Sequence, residues 1–483
     1  MLRLYNTLTR KKEKFIPISD RKVGFYSCGI TAYFYPHIGN MRRYVMDDIV
    51  KRTMLHDKYY VTHVENITDV GHLVGDANTT DDKMRVEAEK EHKTMKAVAM
   101  FYFGIFENDM KLLNIIKPSK MPFASEHVPE MISLIKKLDD KGFLYRLDSG
   151  IYFDTSRFKD YGRLTGSDFD TLNAQLKGGA RVERVAGIRN ITDFAVWRFA
   201  EGTDMIWDSP WGRGFPGWHI ECSVLSMMEL GEHFDVHTGG VDHIAVHHSN
   251  EIAQSESATG KKFVNYWVHH EFLTVNGQKM SKSLGNIYTV QHVLERGYSP
   301  MALRMFMLSG HYRQILNFTF EAMDNIANTL NGIYSFLERL EEIKGTAKNA
   351  DSADFRRAIS SHKRGFFKAL DDDINTPLAL AEMHAVINYA NARRAVGKLN
   401  KAEARHVIRA MLEFDKVLGL NFEAHLKPAS KPLEKEVQDL LDEREKARKS
   451  RDFKRADEIR KLLKDKYNVA LEDTSEGVRW HKD

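Results

Sequence analysis

Two cysteines, Cys28 and Cys222, are all the sulfhydryl chemistry that 483 residues carry. A disulfide framework is therefore not the expected use of sulfur here. No apolar run approaches the ~18 residues that span a bilayer. The start, Met1-Leu-Arg-Leu-Tyr-Asn-Thr-Leu-Thr-Arg-Lys-Lys12, turns charged before a signal region can form. The expected address is the cytoplasm, with no membrane partner. Strong charge of one sign is also absent. The net charge is +4, so any nucleic-acid contact has to come from local patches. Internal repeats are missing too. Hydrophobic residues at 42% and charged residues at 29% exclude a collagen-like or wholly disordered chain. The length suggests about three domains.

What is present first is an α/β pattern. Lys22-Val-Gly-Phe-Tyr-Ser-Cys28 reads as a strand, followed by a turn holding Pro36 and Gly39 and a helical pattern from Met41 to about Leu55. A β-branched run from Tyr59 to Ile67 completes a βαβ unit and predicts a parallel sheet. Residues 117–200 are less regular: Gly150 to Asp154 reads as a strand and Gly162 to Arg184 as turn-rich, an insertion in the α/β domain. From Trp207 the α/β signature resumes and continues past Lys279. After Ser299-Pro300 the character is helical, with Met323, Ile326, Leu330, Ile333, Leu337 and Leu340 forming one apolar stripe. Asn375-Thr376-Pro377 signals another helix start. Lys427-Pro-Ala-Ser-Lys-Pro432 reads as a linker. Beyond it, residues 444–466 hold 11 Lys/Arg against 5 Asp/Glu. The plain reading of that run is a solvated helix face; it gains weight only if RNA is implicated elsewhere.

Two short motifs suggest a phosphate ligand. His37-Ile-Gly-Asn40 falls between a strand and a helix start, where free N–H groups favour an anion. Gly39 lets a ligand approach the backbone, and His37 can donate to phosphate oxygens. Lys279-Met-Ser-Lys-Ser283 places two lysines three apart, suited to a loop that clamps a triphosphate and stabilises a pyrophosphate leaving group. Each motif alone also fits a polar turn or an ordinary surface. A third constellation concerns metal. Cys28, Cys222, His247 and Glu251 are all zinc-type donors, and the last two lie one helical turn apart. The two cysteines read equally well as inert buried residues. His233, His237, His243 and His248 crowd the same stretch, and spacing alone does not choose His247 over His248.

The longer motifs carry a resemblance. Cys28-Gly-Ile-Thr-Ala-Tyr-Phe-Tyr-Pro-His-Ile-Gly-Asn-Met-Arg42, Asn66-Ile-Thr-Asp69 and Trp207-Asp-Ser-Pro-Trp-Gly-Arg-Gly-Phe-Pro-Gly-Trp-His-Ile-Glu-Cys-Ser223 form the first part. His237-Thr-Gly-Gly-Val-Asp-His243, His247-His-Ser-Asn-Glu-Ile-Ala-Gln254 and the Lys279 pentad continue it. Asp371-Asp-Asp-Ile-Asn-Thr-Pro377, Arg455-Ala-Asp-Glu-Ile-Arg460 and Leu471-Glu-Asp-Thr474 extend it into the helical region and the tail. Over essentially its whole length the chain resembles the cysteinyl-tRNA synthetases, a family of class I aminoacyl-tRNA synthetases.

The resemblance implies a Rossmann-type parallel-sheet catalytic domain in two halves, 1–116 and 201–300, with a connective insertion at 117–200. A helical bundle at 301–426 and a small anticodon-binding domain at 427–483 would follow. It implies one zinc per chain held by Cys28, Cys222, His247 and Glu251, which selects the family's first histidine of the pair. Substrate cysteine would bind that zinc through sulfur, and serine would be refused without editing. Gly29, Thr68, Trp218, His219 and His237 would form the amino-acid pocket. His37, Gly39, Asn40, Asp242, Lys279, Ser281 and Lys282 would bind ATP, accompanied by Mg2+, with His37, Asn40, Lys279 and Lys282 acting in catalysis. Trp218 has core packing as its ordinary alternative. The partners implied are tRNA(Cys), L-cysteine and ATP, and the chain is expected to be a monomer.

Three departures stand out. Ile30 replaces the family's proline after Cys28-Gly29, Ser249 replaces a glutamate beside the expected ligands, and residues 71–82 form a longer loop of unassigned role. A cysteine:amino-sugar ligase shares the adenylation step, but those relatives lack a tail like that beyond Lys427. A non-catalytic RNA-binding paralogue is disfavoured by the intact motifs.

Overall fold

A computed structural model describes residues 1–70, 94–177, 185–201, 205–281, 284–343, 353–426, 435–450, 452–467, 469–474 and 477–482. The 71–82 loop, Lys282 and the 427–432 stretch therefore lie outside the described residues. The chain divides into two compact units, Met1–Leu426 and Lys427–Asp483.

The first unit is built on a four-stranded parallel sheet in the order Val264–His270, Phe234–Gly240, Lys22–Thr31, Tyr60–Thr68. The predicted βαβ unit is there, with the helix at Ile38–His56. It starts three residues before the expected Met41 because His37 caps it: the His37 ring accepts from the Asn40 N–H, and the Asn40 side chain accepts from the His37 N–H. A second crossover, Phe234–Gly240, helix His247–Thr259, Val264–His270, builds the other half. Both central strands are buried on both faces, as in a sheet covered by helices. Val23, Phe25, Val236 and Val268 are all buried.

Between the halves the structure is more regular than the sequence suggests. Leu144–Leu147, Gly150–Phe153, Phe194–Phe199 and Gly214–Pro216 form a four-stranded antiparallel sheet. A short helix, Phe169–Lys177, occupies part of the stretch read as turn-rich. Strands of three to six residues are too short for alternation to reveal them.

The apolar stripe forms the buried face of helix Phe320–Glu341: Met323, Leu330, Ile333, Leu337 and Leu340 are buried and Ile326 packs at the edge. Helix Thr376–Ala395 starts where Asn375 predicted, with the Asn375 side chain accepting from the Leu378 N–H. One buried arginine, on helix Pro300–Leu308, ties the helical region to helix Ile38–His56. Arg304 pairs with Asp48 at 2.6 Å and donates to the carbonyls of Leu418 (2.6 Å) and Leu113 (2.8 Å). Both members of that pair are fully buried.

The second unit packs helices Lys435–Lys449 and Phe453–Tyr467 with an antiparallel strand pair around Val437, Ile459, Leu463, Val469 and Leu471. Its basic surface is thinner than the residue count implies. Arg444 is buried, and Arg455 is held by Glu443 at 2.8 Å and Glu458 at 3.3 Å. Among the described residues no helix is long and apolar enough to cross a membrane.

Candidate active site and metal centre

In the sheet order, Lys22–Thr31 connects to a neighbour on one side, while Phe234–Gly240 connects to one on the other. Such a switch point leaves a crevice beyond the carboxyl ends of the strands, where open α/β sheets bind ligands. A cavity of about 370 Å³ lies there. Cys28, Gly29, Tyr33, Phe34, Tyr35, His37, Gly39, Asn40 and Arg43 line one wall. Asn66, Thr68, Trp218, Cys222, Asp242, His247, Phe272 and Lys279 complete it.

The two phosphate motifs meet across this cavity. A Cβ on Gly39 would lie 2.5 Å from the methyl of Met280, so the pentad's methionine packs directly on the His37 turn. The Lys279 ammonium sits 5.4 Å above the Phe272 ring at the rim. The Ser281 N–H donates to Asn286 at 2.9 Å, and its hydroxyl accepts from the Leu284 N–H. Burial lowers His37 to about 4, and its Nδ1 is occupied by the Asn40 N–H at 3.1 Å. His37 is thus a neutral imidazole that carries its proton on Nε2.

The amino-acid side of the cavity is shaped by Gly29. A Cβ there would fall 1.4 Å from the Asn66 carbonyl oxygen, so the strands can approach only through glycine. Asn66 Oδ1 accepts from the Gly29 N–H at 2.7 Å and the Tyr26 hydroxyl at 3.0 Å, and its amide donates to Thr68 Oγ1. Thr68 in turn donates to Glu221 at 2.8 Å. Trp218 is partly buried and lines the cavity.

His219 and His237 differ from the expectation that they wall the pocket. Neither lines the cavity. His219 Nδ1 lies 2.9 Å from His247 Nδ1, and His237 Nε2 lies 2.9 Å from Glu251 Oε2. They stand behind the candidate metal donors and orient them, the usual arrangement around a metal site.

Those donors converge. Cys28, Cys222, His247 and Glu251 each present a ligand atom within 4.8 Å of the others. His247 Nε2 is 3.4 Å from Cys222 Sγ and 3.1 Å from Glu251 Oε1, while Cys28 Sγ is 4.0 Å from both Cys222 Sγ and Glu251 Oε1. Tetrahedral zinc with its usual bond lengths spaces N, O and S donors by roughly 3.3–3.8 Å. The residues therefore fit zinc. A second group, Cys28, His237, His248 and Glu251, is equally compact. Only the first turns Cys28, Cys222 and His247 together into the cavity, and a metal that takes a substrate ligand needs an open position.

The electrostatics agree with a place prepared for a cation. Burial pushes the Cys28 thiol up, and the neighbouring Cys222 and Glu251 push it further. Burial also opposes charge on Cys222, yet its bonds with Cys28 and His247 bring it down to about 6. Glu251, against burial, is held down to about 2 by His237 and His247.

Sequence reasoning missed Asn66 as the hub and Glu221 as its terminus. A glutamate beside Cys222 in an otherwise apolar helix start was the available signal. It also missed Glu65, which is buried beside the site and accepts from Ser27 Oγ at 3.0 Å. Burial lifts Glu65 from 4.5 to about 8 against the pull of Arg43. The folded state therefore holds a proton there that the unfolded chain releases above pH 4.5. This contribution to stability is full below pH 4.5 and is lost as pH rises towards 8, with a slope of up to ~1.4 kcal/mol per pH unit. Glu65→Gln, which preserves the Ser27 bond, is expected to flatten that decline in urea unfolding between pH 5.5 and 8. An unchanged slope would place the titration elsewhere.

Comparison with known proteins follows the same lines. Residues 14–328 match the family described as the tRNA synthetases class I (C) catalytic domain, and residues 365–423 match the DALR domain. Cysteine–tRNA ligases of Treponema denticola and Thermococcus gammatolerans are each 41% identical to this chain, covering 100% of it and 99% of their own length. That of Brevibacillus brevis is 39% identical over the same shares. Among solved structures, a Mycobacterium tuberculosis methionyl-tRNA synthetase in complex with methionyl-adenylate aligns with a TM-score of 0.64 at 17% identity, covering 84% of this chain and 93% of that one. A leucyl enzyme from Agrobacterium radiobacter, in a ternary complex with tRNA, aligns at 0.61 and 13% identity over 86% of each chain. These last likenesses concern the fold alone. The two central strands, the crevice between them and the full-length identity to cysteine–tRNA ligases lead to one assignment: the chain belongs to the class I aminoacyl-tRNA synthetases of the cysteine–tRNA ligase family.

Proposed function

We propose that this chain activates L-cysteine with ATP to cysteinyl-adenylate and transfers the cysteinyl group to the 3′ end of tRNA(Cys). The observation that carries the reading is a Cys, Cys, His and Glu donor set opening into the cavity in which the His37 turn and the Lys279 loop meet. Zinc at that set supplies a soft Lewis acid that takes a thiolate in preference to serine's hydroxyl. His219 and His237 hold His247 and Glu251 in place for it. Thr68, Gly29 and Trp218 bound the amino-acid pocket.

The chemistry left to the protein is positioning and electrostatics. The cysteine carboxylate attacks the α-phosphorus of ATP, and pyrophosphate leaves. His37 donates its Nε2 proton as a hydrogen bond to phosphate oxygens, as a neutral group that stays protonated there across physiological pH. Gly39 leaves room for the nucleotide, and Asn40 fixes the His37 ring. Lys279, with Lys282 and Ser281 of the same loop, stabilises charge on the departing pyrophosphate, and Mg2+ accompanies ATP. Asp242 binds the nucleotide from the opposite rim. The terminal ribose hydroxyl of tRNA then attacks the activated carbonyl, forming the ester as the carbonyl–phosphate bond breaks and AMP leaves. The helical bundle at 301–426 and the domain at 427–483 hold the tRNA, the latter reading its anticodon, and the chain acts as a monomer.

The test is a charging assay on purified protein, with serine in parallel and metal measured on the same sample. Cysteine attached to tRNA(Cys), serine refused and about one zinc per chain are the expected results. Adenylate formation without charging would instead indicate a cysteine:amino-sugar ligase.

A further inference from the structure

The cavity wall carries a charged residue to which the reading above gives no task. Arg43 lines the cavity one turn beyond Asn40 on helix Ile38–His56, so the two share a face of that helix. Its side chain is 12% exposed. Nη1 donates to Asp47 Oδ2 at 3.0 Å, and the guanidinium carbon lies 3.9 Å from the centre of the Tyr44 ring. Ion pairs four residues apart are ordinary on a helix, but this one is also gripped from the sheet. His270, which ends strand Val264–His270 and lines the cavity, places its Nε2 2.8 Å from Asp47 Oδ1. Asp47 is buried, so the anchor of Arg43 is fixed between helix and sheet.

Among the described lining residues, arginine and lysine contribute only Arg43 and Lys279. Lys279 stands at the rim over Phe272 and serves the departing pyrophosphate. Arg43 lies towards the metal donors, close enough to Cys28 and Glu65 to interact with both electrostatically. We propose that Arg43 holds the carboxylate of the bound amino acid and meets the α-phosphate of ATP as the two join. The proposal rests on the adenylation reading above and adds a catalytic residue to it. A cysteine anchored by its sulfur beside Cys28 extends its carboxylate towards the nucleotide, past the guanidinium. Attack then brings two anions together. A carboxylate oxygen bonds to the α-phosphorus, the bond to the pyrophosphate oxygen breaks, and that electron pair leaves with pyrophosphate. No proton is transferred. A cation fixed beside the forming bond offsets the repulsion without reorganising, because Asp47 and His270 already hold it in place. Arginine suits the task, since its planar fork reaches two oxygens at once and stays charged at any working pH. His37 does not supply this charge, being a neutral imidazole.

The experiment weighs cysteine against cysteamine, which keeps the thiol and the amine and lacks the carboxylate. Binding to the full-length, zinc-loaded enzyme is measured by calorimetry, with cysteine-dependent pyrophosphate exchange in parallel. The parent should bind cysteine about 10- to 100-fold more tightly than cysteamine, the worth of a hydrogen bond between charged groups. In Arg43→Met the two affinities should converge to within about twofold, with cysteamine binding unchanged, and kcat for exchange should fall by about 10²-fold. Arg43→Lys keeps the charge and loses the fork, so it should fall between parent and Arg43→Met on both measures. It also carries the comparison if Arg43→Met does not fold. Cysteine and cysteamine weakening together would overturn the proposal, because an arginine that only braces the pocket affects both alike. So would a parent-like preference for cysteine in the variants. A parent enzyme that binds neither compound, or binds cysteine yet exchanges no pyrophosphate, would instead refute the functional reading beneath it.

Discussion

Cys222→Ser is expected to leave the purified enzyme without its zinc and to lower cysteine-dependent pyrophosphate exchange by about 10⁴-fold. A site that recognises one substrate group through one bond loses an effect of that order when the bond is gone. The geometry gives the reason. Cys222 Sγ stands 3.4 Å from His247 Nε2 and 4.0 Å from Cys28 Sγ, so it joins the two in one donor set. A hydroxyl there is a far poorer zinc ligand than a thiolate. His248→Gln is the informative companion. His248 Nε2 lies 3.2 Å from Cys28 Sγ, but its other nitrogen is bound to His269 at 2.8 Å and its ring does not line the cavity. That variant should retain stoichiometric metal with affinity reduced by no more than the ~10–100-fold typical of an orienting residue. Zinc measured at parent level in Cys222→Ser, or lost in His248→Gln, would transfer the site to the second donor group.

Arg304→Met is expected to destabilise the first unit by about 3–5 kcal/mol, read as a fall in the urea-unfolding midpoint. Asp48 would remain buried with Arg52, at 2.7 Å, and the Ile116 N–H as partners, and the carbonyls of Leu113 and Leu418 would lose their Arg304 donor. Unpaired buried groups, more than the lost attraction itself, set the size of the effect. Asp48→Asn combined with Arg304→Met should recover part of the loss, because the stranded charge is then gone. A double variant no better than the single one would show that the orphaned carbonyls dominate. Asp48 sits on the helix that His37 caps, so loosening this pair also loosens the phosphate turn from the helical region.

Local patterns made much of this molecule readable from sequence. The βαβ unit, the Asn375 cap and the Met323-to-Leu340 stripe each depend on residues within a few turns of one another. The donor set was legible only through resemblance, because Cys28 and the His247 helix are joined by sheet pairing and no spacing rule spans that distance. His219 and His237 were read as pocket walls, and in the structure they lie against His247 and Glu251. Sequence brings a residue to a site, but which side of the donors it occupies depends on how helix His247–Thr259 and strand Phe234–Gly240 pack. The short antiparallel strands between residues 144 and 216 were hidden for a different reason, being held by their neighbours in the sheet and not by any pattern of their own.

The distribution of the four metal donors has a consequence for how specificity is inherited. Cys28 comes from the first half of the sheet, and Cys222, His247 and Glu251 come from the second. The second half alone brings three of the four donors, and the first supplies the fourth. The full set of four donors is assembled only when strand Phe234–Gly240 pairs with strand Lys22–Thr31. A chain folded in its first half alone, as during synthesis, would carry the phosphate turn and no means of choosing an amino acid. Fidelity in this enzyme is a property of assembly, acquired in the same step that finishes the fold.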